Sequence, residues 1–127
     1  MQFPTPRTQT SMKVVASSLL AIPITILLLL TLGEVAGGDV TGVQHLIEAA
    51  PLLVLLIVAW RYPRAAGIAL LGLGSLALAA WLVLALTSAS ASHSTPIFVW
   101  AGMGIILFLP PLVSGWLFLR AAPRNSW

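Results

Sequence analysis

Three residues have side chains and a spacing suited to binding a proton or an ion. Glu48 lies inside the second of four apolar runs, and His45 precedes it by three residues, so the two share a helical face. Glu34 lies at the end of the first run. A carboxylate within a membrane span is energetically expensive and usually serves a function. An imidazole beside it can pass a proton or bind a metal. Glu48, His45 and Glu34 are therefore candidate proton- or ion-binding residues.

Two interpretations of Glu48 remain open. If the second span ends near Trp60, Glu48 lies about 18 Å further along the helix, within a hydrocarbon core about 30 Å thick. Its carboxyl group is then expected to face the bundle interior, near the first or the fourth span. If the helix instead begins near His45, Glu48 is a first-turn residue that reaches water and interacts with the helix dipole. The sequence narrowly favours this second interpretation.

Other catalytic and cofactor chemistry has little support in the sequence. His93 can add a ligand to the Glu and His set, but both histidines lie near an aqueous face, where a solvated histidine is the commoner case. The chain has no cysteine, which excludes thiolate chemistry and cysteine-based metal sites. Ser75 and Ser114 lie within spans that contain no suitable base. We therefore expect no metal, no cofactor and no enzymatic activity.

Composition indicates that a lipid bilayer is the main solvent of this chain. Among its 127 residues, 59% are hydrophobic and only 7% are charged, and the mean hydropathy is +1.04. A soluble domain carries about 25% charged residues. Little length remains outside the apolar runs, so we expect one domain, residues 1–127, and no soluble domain.

The apolar runs predict four transmembrane helices that form an up-down bundle. Each run is close to the length of about 20 residues that spans a bilayer, and none alternates with a period of two as a barrel strand does. The first run is longer than the apolar segment of a signal peptide, about 7–15 residues, so we expect it to be retained. The predicted helices cover residues 14–32, 43–60, 65–86 and 97–119.

The charged residues predict the orientation of the bundle. The acids lie in or beside the stretch between the first two spans, whereas the cations flank the opposite ends of the spans. Because cations are retained in the cytoplasm, we expect both termini there, with tails 1–12 (disordered) and 120–127, in the inner (plasma) membrane. This distribution also explains the net charge of +3 without a nucleic-acid partner. The cations are Arg7, Lys13, Arg61, Arg64, Arg120 and Arg124.

Tryptophans and prolines add detail to this picture. Trp60 and Trp116 fall near the predicted inner interface and Trp81 and Trp100 near the outer one, as in an aromatic belt. Prolines inside spans remove backbone donors and predict kinks, and the double proline predicts a break in the fourth helix. These prolines are Pro23, Pro51, Pro110 and Pro111.

Small residues on the third span predict a close helix contact. Gly72, Ser75 and Ala79 share one face, and small side chains let a neighbouring helix approach closely. The contact is either internal to the bundle or with another membrane protein or a second copy. The sequence does not separate these alternatives.

Two segments resemble a family of small four-helix bacterial membrane proteins classed as a domain of unknown function. Residues 48–51 (EAAP) and 59–63 (AWRYP) resemble the second helix of that family, and residues 110–119 (PPLVSGWLFL) resemble the fourth. The resemblance implies four helices and a recurring pattern that includes Glu48, Pro51 and Trp60. It implies no activity.

Two functional hypotheses follow. The first is an accessory or interaction subunit of a larger membrane complex, suggested by the short loops and the Gly- and Ala-rich third span. The second is an oligomeric, proton-coupled small transporter or channel that uses Glu48. All cations fall on one predicted side of the membrane. This argues against a dual-topology transporter, because such a protein needs a weak bias of cations between the two sides.

Overall fold

The chain forms a bundle of four α-helices in a computed structural model that describes residues 6–89 and 97–122. Helix α1 is Pro6–Ala36, α2 is Val43–Arg61, α3 is Pro63–Ala89 and α4 is Ile97–Ala121. No strand occurs in the described residues, which confirms the all-α prediction. All four helices are long and apolar enough to cross a membrane. The chain is therefore a multi-pass membrane protein.

Helix α1 is longer than predicted at both ends. Residues 6–12, predicted as part of a disordered tail, continue the helix, because Pro6 fits the first helical position and no glycine or further proline interrupts the segment that follows. Gly33 does not end the helix as predicted. The helix ends at Ala36, because Gly38 takes the left-handed conformation, with φ of 88°, that closes a C-terminal cap.

The cap of α1 and the start of α2 are built by local hydrogen bonds. The Gly38 and Asp39 amides donate to the carbonyls of Val35 and Glu34, at 3.0 and 2.9 Å, in the pattern of a Schellman motif. A short 3-10 turn, Val40–Gly42, then leads directly into α2. Only six residues therefore separate α1 from α2, and their ends must lie side by side.

The other helix bounds follow the prediction more closely. Helices α2 and α4 agree with the predicted spans to within two residues, and α3 extends three residues beyond its predicted end. Tyr62 alone joins α2 to α3, because Pro63 cannot continue α2 and is instead well suited to begin α3. Of the loop predicted between the third and fourth spans, residues 87–96, the last seven (90–96) lie outside the described residues, as do the terminal segments 1–5 and 123–127. The candidate ligand His93 is among them.

Helix α4 runs without interruption through Pro110 and Pro111, so the predicted break is not found. Helices α1 and α2 likewise continue through Pro23 and Pro51. Each proline removes one backbone donor, but the rest of the turn keeps its hydrogen bonds and neighbouring helices support it. Pro23 is fully buried, whereas Pro51 is exposed.

The helices pack as neighbours around a ring, most extensively α3 with α4 and α1 with α4. The main buried cluster draws residues from all four helices. Its members are Ala16, Leu20, Ile24, Ala59, Ala66, Leu70 and Phe118. Four of these lie within three residues of a cation along the chain. Lys13, Arg61, Arg64 and Arg120 therefore share one end of the bundle, which we call the basic end. Glu34, Asp39 and Glu48 define the opposite, acidic end.

A buried hydrogen bond joins α4 to α1 near the basic end. The Ser114 hydroxyl donates to the carbonyl of Ala16 at 2.7 Å, and both residues are completely buried. Ser114 thus links α4 to α1 through the bundle interior. Its partner lies 98 residues away in sequence.

Candidate functional site

The acidic end brings together the three residues that the sequence selected. His45 lies in the first turn of α2, with Glu48 one turn further and Glu34 in the last turn of α1. His45 Nε2 lies 3.5 Å from Glu34 Oε1, and His45 Nδ1 lies 3.3 Å from Glu48 Oε2. One imidazole thus connects carboxylates from two helices. We call Glu34, His45 and Glu48 the Glu–His–Glu bridge.

The bridge is sheltered at its centre and open at its ends. The His45 side chain is only 20% exposed, whereas those of Glu34 and Glu48 are 40% and 56% exposed. The expectation that Glu48 faces the bundle interior is therefore wrong. Helix α2 begins at Val43, two residues before His45, so Glu48 lies in its second turn and not in the first turn that the alternative interpretation expected. Its side chain does reach the surface, as that interpretation expected. It nevertheless keeps a polar neighbour in His45.

Gly42 allows the bridge to form. A Cβ atom at this position would lie 2.7 Å from Glu34 Cβ, 3.0 Å from Glu34 Oε2 and 3.3 Å from the carbonyl oxygen of Thr31. Any side chain there would displace the 3-10 turn from α1. Because Gly42 directly precedes α2, it sets how closely His45 approaches Glu34. Sequence reasoning did not identify this residue.

Asp39 belongs to the acidic end but not to the bridge. Its carboxylate accepts hydrogen bonds from the Thr41 hydroxyl at 2.6 Å and from the Thr41 amide at 2.9 Å. These two bonds hold the pKa of the exposed Asp39 carboxyl below its usual value. Asp39 therefore caps the 3-10 turn.

The geometry of the bridge suits a shared proton better than a metal ion. The two carboxylates face opposite nitrogens of the same ring, so no single metal ion could be bound by all three side chains. Within residues 6–89 and 97–122, no three acidic or histidine side chains are grouped to hold a metal.

Within the part of the bundle that the structure describes, the interior offers no polar continuation of the bridge. Among the described residues, the buried polar side chains are Thr31 and Ser114. Thr31 donates to the carbonyl of Leu27 at 2.9 Å, within its own helix. Ser17 is only partly buried as a residue, but its Oγ atom is inaccessible and has no hydrogen-bond partner among the residues described. The rest of the core is apolar.

The small-residue face of α3 lies on the bundle surface. Gly72, Ser75 and Ala79 are exposed, and a Cβ atom added to Gly72 would meet nothing within 4 Å. An internal contact through this face is therefore excluded in the described bundle. Gly72 lies about 140° around the helix from Gly67, which does face α4.

Other glycines form the close contact between α3 and α4. A Cβ atom at Gly67 would lie 2.8 Å from the carbonyl oxygen of Gly115, and one at Gly115 would lie 3.0 Å from that of Gly67. Gly74 and Gly104 lie against Leu112 and Trp81, respectively. The seven-residue spacing of Gly67, Gly74 and Trp81 is the signal that could have identified this seam.

The tryptophans take part in two kinds of contact. Trp81 and Trp100 pack together with ring centroids 5.0 Å apart, which joins α3 to α4. The Arg120 guanidinium lies 4.4 Å from the ring centroid of Trp116, a cation–π contact at the basic end. Trp60 and Trp116 are about half exposed. Their role as interface anchors remains a prediction.

A scan against protein-family models, a search of curated proteins and a search of solved structures each return no match. The resemblance of residues 48–63 and 110–119 to a family of four-helix membrane proteins therefore remains a prediction. What the chain does must be inferred from its own geometry.

Proposed function

We propose that this protein is an accessory or interaction subunit that contacts another membrane protein, or a second copy of itself, through α3. The observation that carries the proposal is the exposed face formed by Gly72, Ser75 and Ala79, with open space above Gly72. Helix association in lipid relies on close backbone approach at small residues. This face would allow a neighbouring helix to approach closely, but no helix of the described bundle packs against it.

The packing within the bundle supports this proposal. The contact between α3 and α4 uses Gly67, Gly74 and Gly115, none of which belongs to the exposed face. Helix α3 thus has two faces lined by small residues, and only one is covered. The apolar interior further favours an interaction role over solute transport by a single copy, because the residues described there form no chain of polar groups.

We further propose that the protein lies in the inner (plasma) membrane, with its basic end and both termini on the cytoplasmic side. This proposal is supported by the separation of Lys13, Arg61, Arg64 and Arg120 from the acids at the opposite end. Cations near span ends are retained on the cytoplasmic side.

Site-specific photo-crosslinking in cells tests the interaction role. A photoreactive residue at Ser75 should yield one adduct of defined mass, whereas the same residue at Ala101, an exposed alanine on α4, should yield none. Adding Gly72→Leu should abolish the Ser75 adduct without unfolding the bundle, since nothing lies within 4 Å of the new Cβ. Equal adducts from both positions, or recovery only as a monomer in every mild detergent, would contradict the proposal.

A proton-coupled transporter or channel is the alternative, and the Glu–His–Glu bridge is the observation that favours it. Because the described core is apolar, a conducting path would have to lie between copies of the chain. Proton flux into proteoliposomes tests this function. Flux that is unchanged by Glu48→Gln would exclude Glu48 from the mechanism, and absence of flux would exclude the function.

A further inference from the structure

We propose that the Glu–His–Glu bridge is a proton-binding site whose bound proton clamps the end of α1 to the start of α2. The proposal is independent of the interaction role of α3. It rests on the two contacts of His45, one with Glu34 of the preceding helix at 3.5 Å and one with Glu48 of its own helix at 3.3 Å.

The numbers of hydrogen-bond donors and acceptors in the bridge show why it needs a further proton. An ionised carboxylate only accepts hydrogen bonds, and a neutral imidazole carries one donor and one acceptor nitrogen. A neutral His45 between two carboxylates can therefore bond to only one of them. Both contacts become hydrogen bonds when the bridge holds one further proton, either on the second ring nitrogen or on a carboxyl oxygen. The bridge then carries a net charge of −1 instead of −2.

The surroundings make this proton a link between helices. The His45 side chain is only 20% exposed, and the lack of a side chain at Gly42 lets the 3-10 turn lie against Glu34. Loss of the proton leaves one ring nitrogen facing a carboxylate oxygen, two acceptors in a sheltered site, which repel each other. The contact of His45 with Glu34 joins two helices, whereas its contact with Glu48 lies within α2. We therefore expect the contact with Glu34 to open.

No other described charge faces the bridge. Asp39, the remaining acid at this end, is bonded to Thr41. Helix α2 contributes no further charged residue before Arg61, at the opposite end. The halves of α3 and α4 that lie towards the acidic end, residues 75–89 and 97–109, contain no titratable side chain. The bridge is thus set to respond to pH without a competing group among the described residues.

Distance measurements between spin labels test the clamp. Leu32 and Leu46 are exposed on α1 and α2, and the chain has no cysteine, so a Leu32→Cys, Leu46→Cys pair gives one defined distance in lipid nanodiscs. We expect a narrow distribution while the bridge holds its proton and a broader or longer one once the pH has been raised far enough for the imidazole to lose it.

Matched variants identify the group that responds. In Glu34→Gln the amide can donate or accept, so it satisfies either form of the ring and the pH response should disappear; His45→Gln should abolish it too. Asp39→Asn, at an acid of the same end outside the bridge, should leave it unchanged. A response that persists in His45→Gln, that is lost in Asp39→Asn, or that is absent from the parent pair would overturn the proposal.

A spectroscopic measurement covers the possibility that bridge variants fail to fold. In the His93→Gln background, His45 is the sole histidine, and its ring nitrogens can be observed directly by ¹⁵N NMR. The clamp requires two protonated ring nitrogens, or one that accepts from a carboxyl proton, at every pH at which the narrow distance distribution is seen. A nitrogen that neither carries nor accepts a proton throughout the folded pH range would overturn it.

Discussion

Replacing Gly67 by alanine should destabilise the bundle, whereas the same change at Gly72 should not. Both glycines lie inside α3, but an added Cβ at Gly67 would lie 2.8 Å from the Gly115 carbonyl oxygen and 2.9 Å from Leu119 Cγ. Ordinary contacts between carbon atoms are about 3.5–4.0 Å. Because one of these neighbours is backbone, α3 must move away from α4 by roughly 0.5–1 Å to relieve the clash. At Gly72 the same atom meets nothing within 4 Å.

The magnitude follows from comparing the two variants. Alanine in place of glycine inside a helix favours folding by about 1 kcal/mol, and this gain is shared by both positions. Overpacking in a well-packed core costs about 1–3 kcal/mol and applies to Gly67 alone. The free energy of unfolding of Gly67→Ala should therefore be lower than that of Gly72→Ala by about 1–3 kcal/mol. The difference is more reliable than either value, because the helix-propensity gain cancels.

Reversible unfolding in mixed micelles, followed by tryptophan fluorescence, provides the assay. Gly115→Ala serves as a reciprocal variant, since its Cβ would lie 3.0 Å from the Gly67 carbonyl oxygen. It should be similarly destabilised, and the double variant should lose less than the sum, because one helix displacement relieves both clashes. Equal stabilities of Gly67→Ala and Gly72→Ala would refute the assignment of the seam between α3 and α4.

Three further predictions concern other parts of the bundle. Ser114→Ala should lower the free energy of unfolding by about 0.6 kcal/mol and by no more than about 1.7 kcal/mol, measured in the same assay, because it removes the bond to α1. The pKa of Asp39 is lower in the folded protein than in the unfolded chain. Its contribution to folding stability is therefore complete above the pKa of the unfolded carboxyl and is lost as the pH falls through the folded pKa. The chemical shift of the Thr41 amide should report this loss, and Asp39→Ala should remove the titration. A membrane-impermeant maleimide should label Val40→Cys in intact cells but Tyr62→Cys only after permeabilisation, and the reverse pattern would contradict the proposed orientation.

The bridge illustrates how far sequence reasoning could reach. The spacing of His45 and Glu48 places them on one helical face whatever the fold, so their contact was predictable. The approach of Glu34 was only suggested, because it depends on the turn between α1 and α2. That turn requires Gly38 in a left-handed conformation and Gly42 without a side chain. Neither requirement can be recognised before the ends of α1 and α2 are known.

The expectation that Glu48 faces the bundle interior was wrong for a related reason. A depth counted from Trp60 treats the span as a straight rod in a uniform slab, whereas exposure depends on which neighbours cover a helix. Helix α2 packs against α1 and α3, and Glu48 is more than half exposed beside them. Burial is a property of the packed bundle and does not follow from position along the helix alone.

By itself, the sequence determined the membrane character, the four helices and the gathering of cations away from acids. These properties depend on local hydrophobicity and on the positions of charges along the chain. Both act on insertion into the bilayer before any tertiary contact forms. Only the tertiary structure decided which glycines pack α3 against α4 and left Gly72 exposed. It also paired Ser114 with Ala16 and brought Glu34 to His45. Those outcomes depend on the rotation of each helix about its axis, which is set by the fit of side chains from several helices at once.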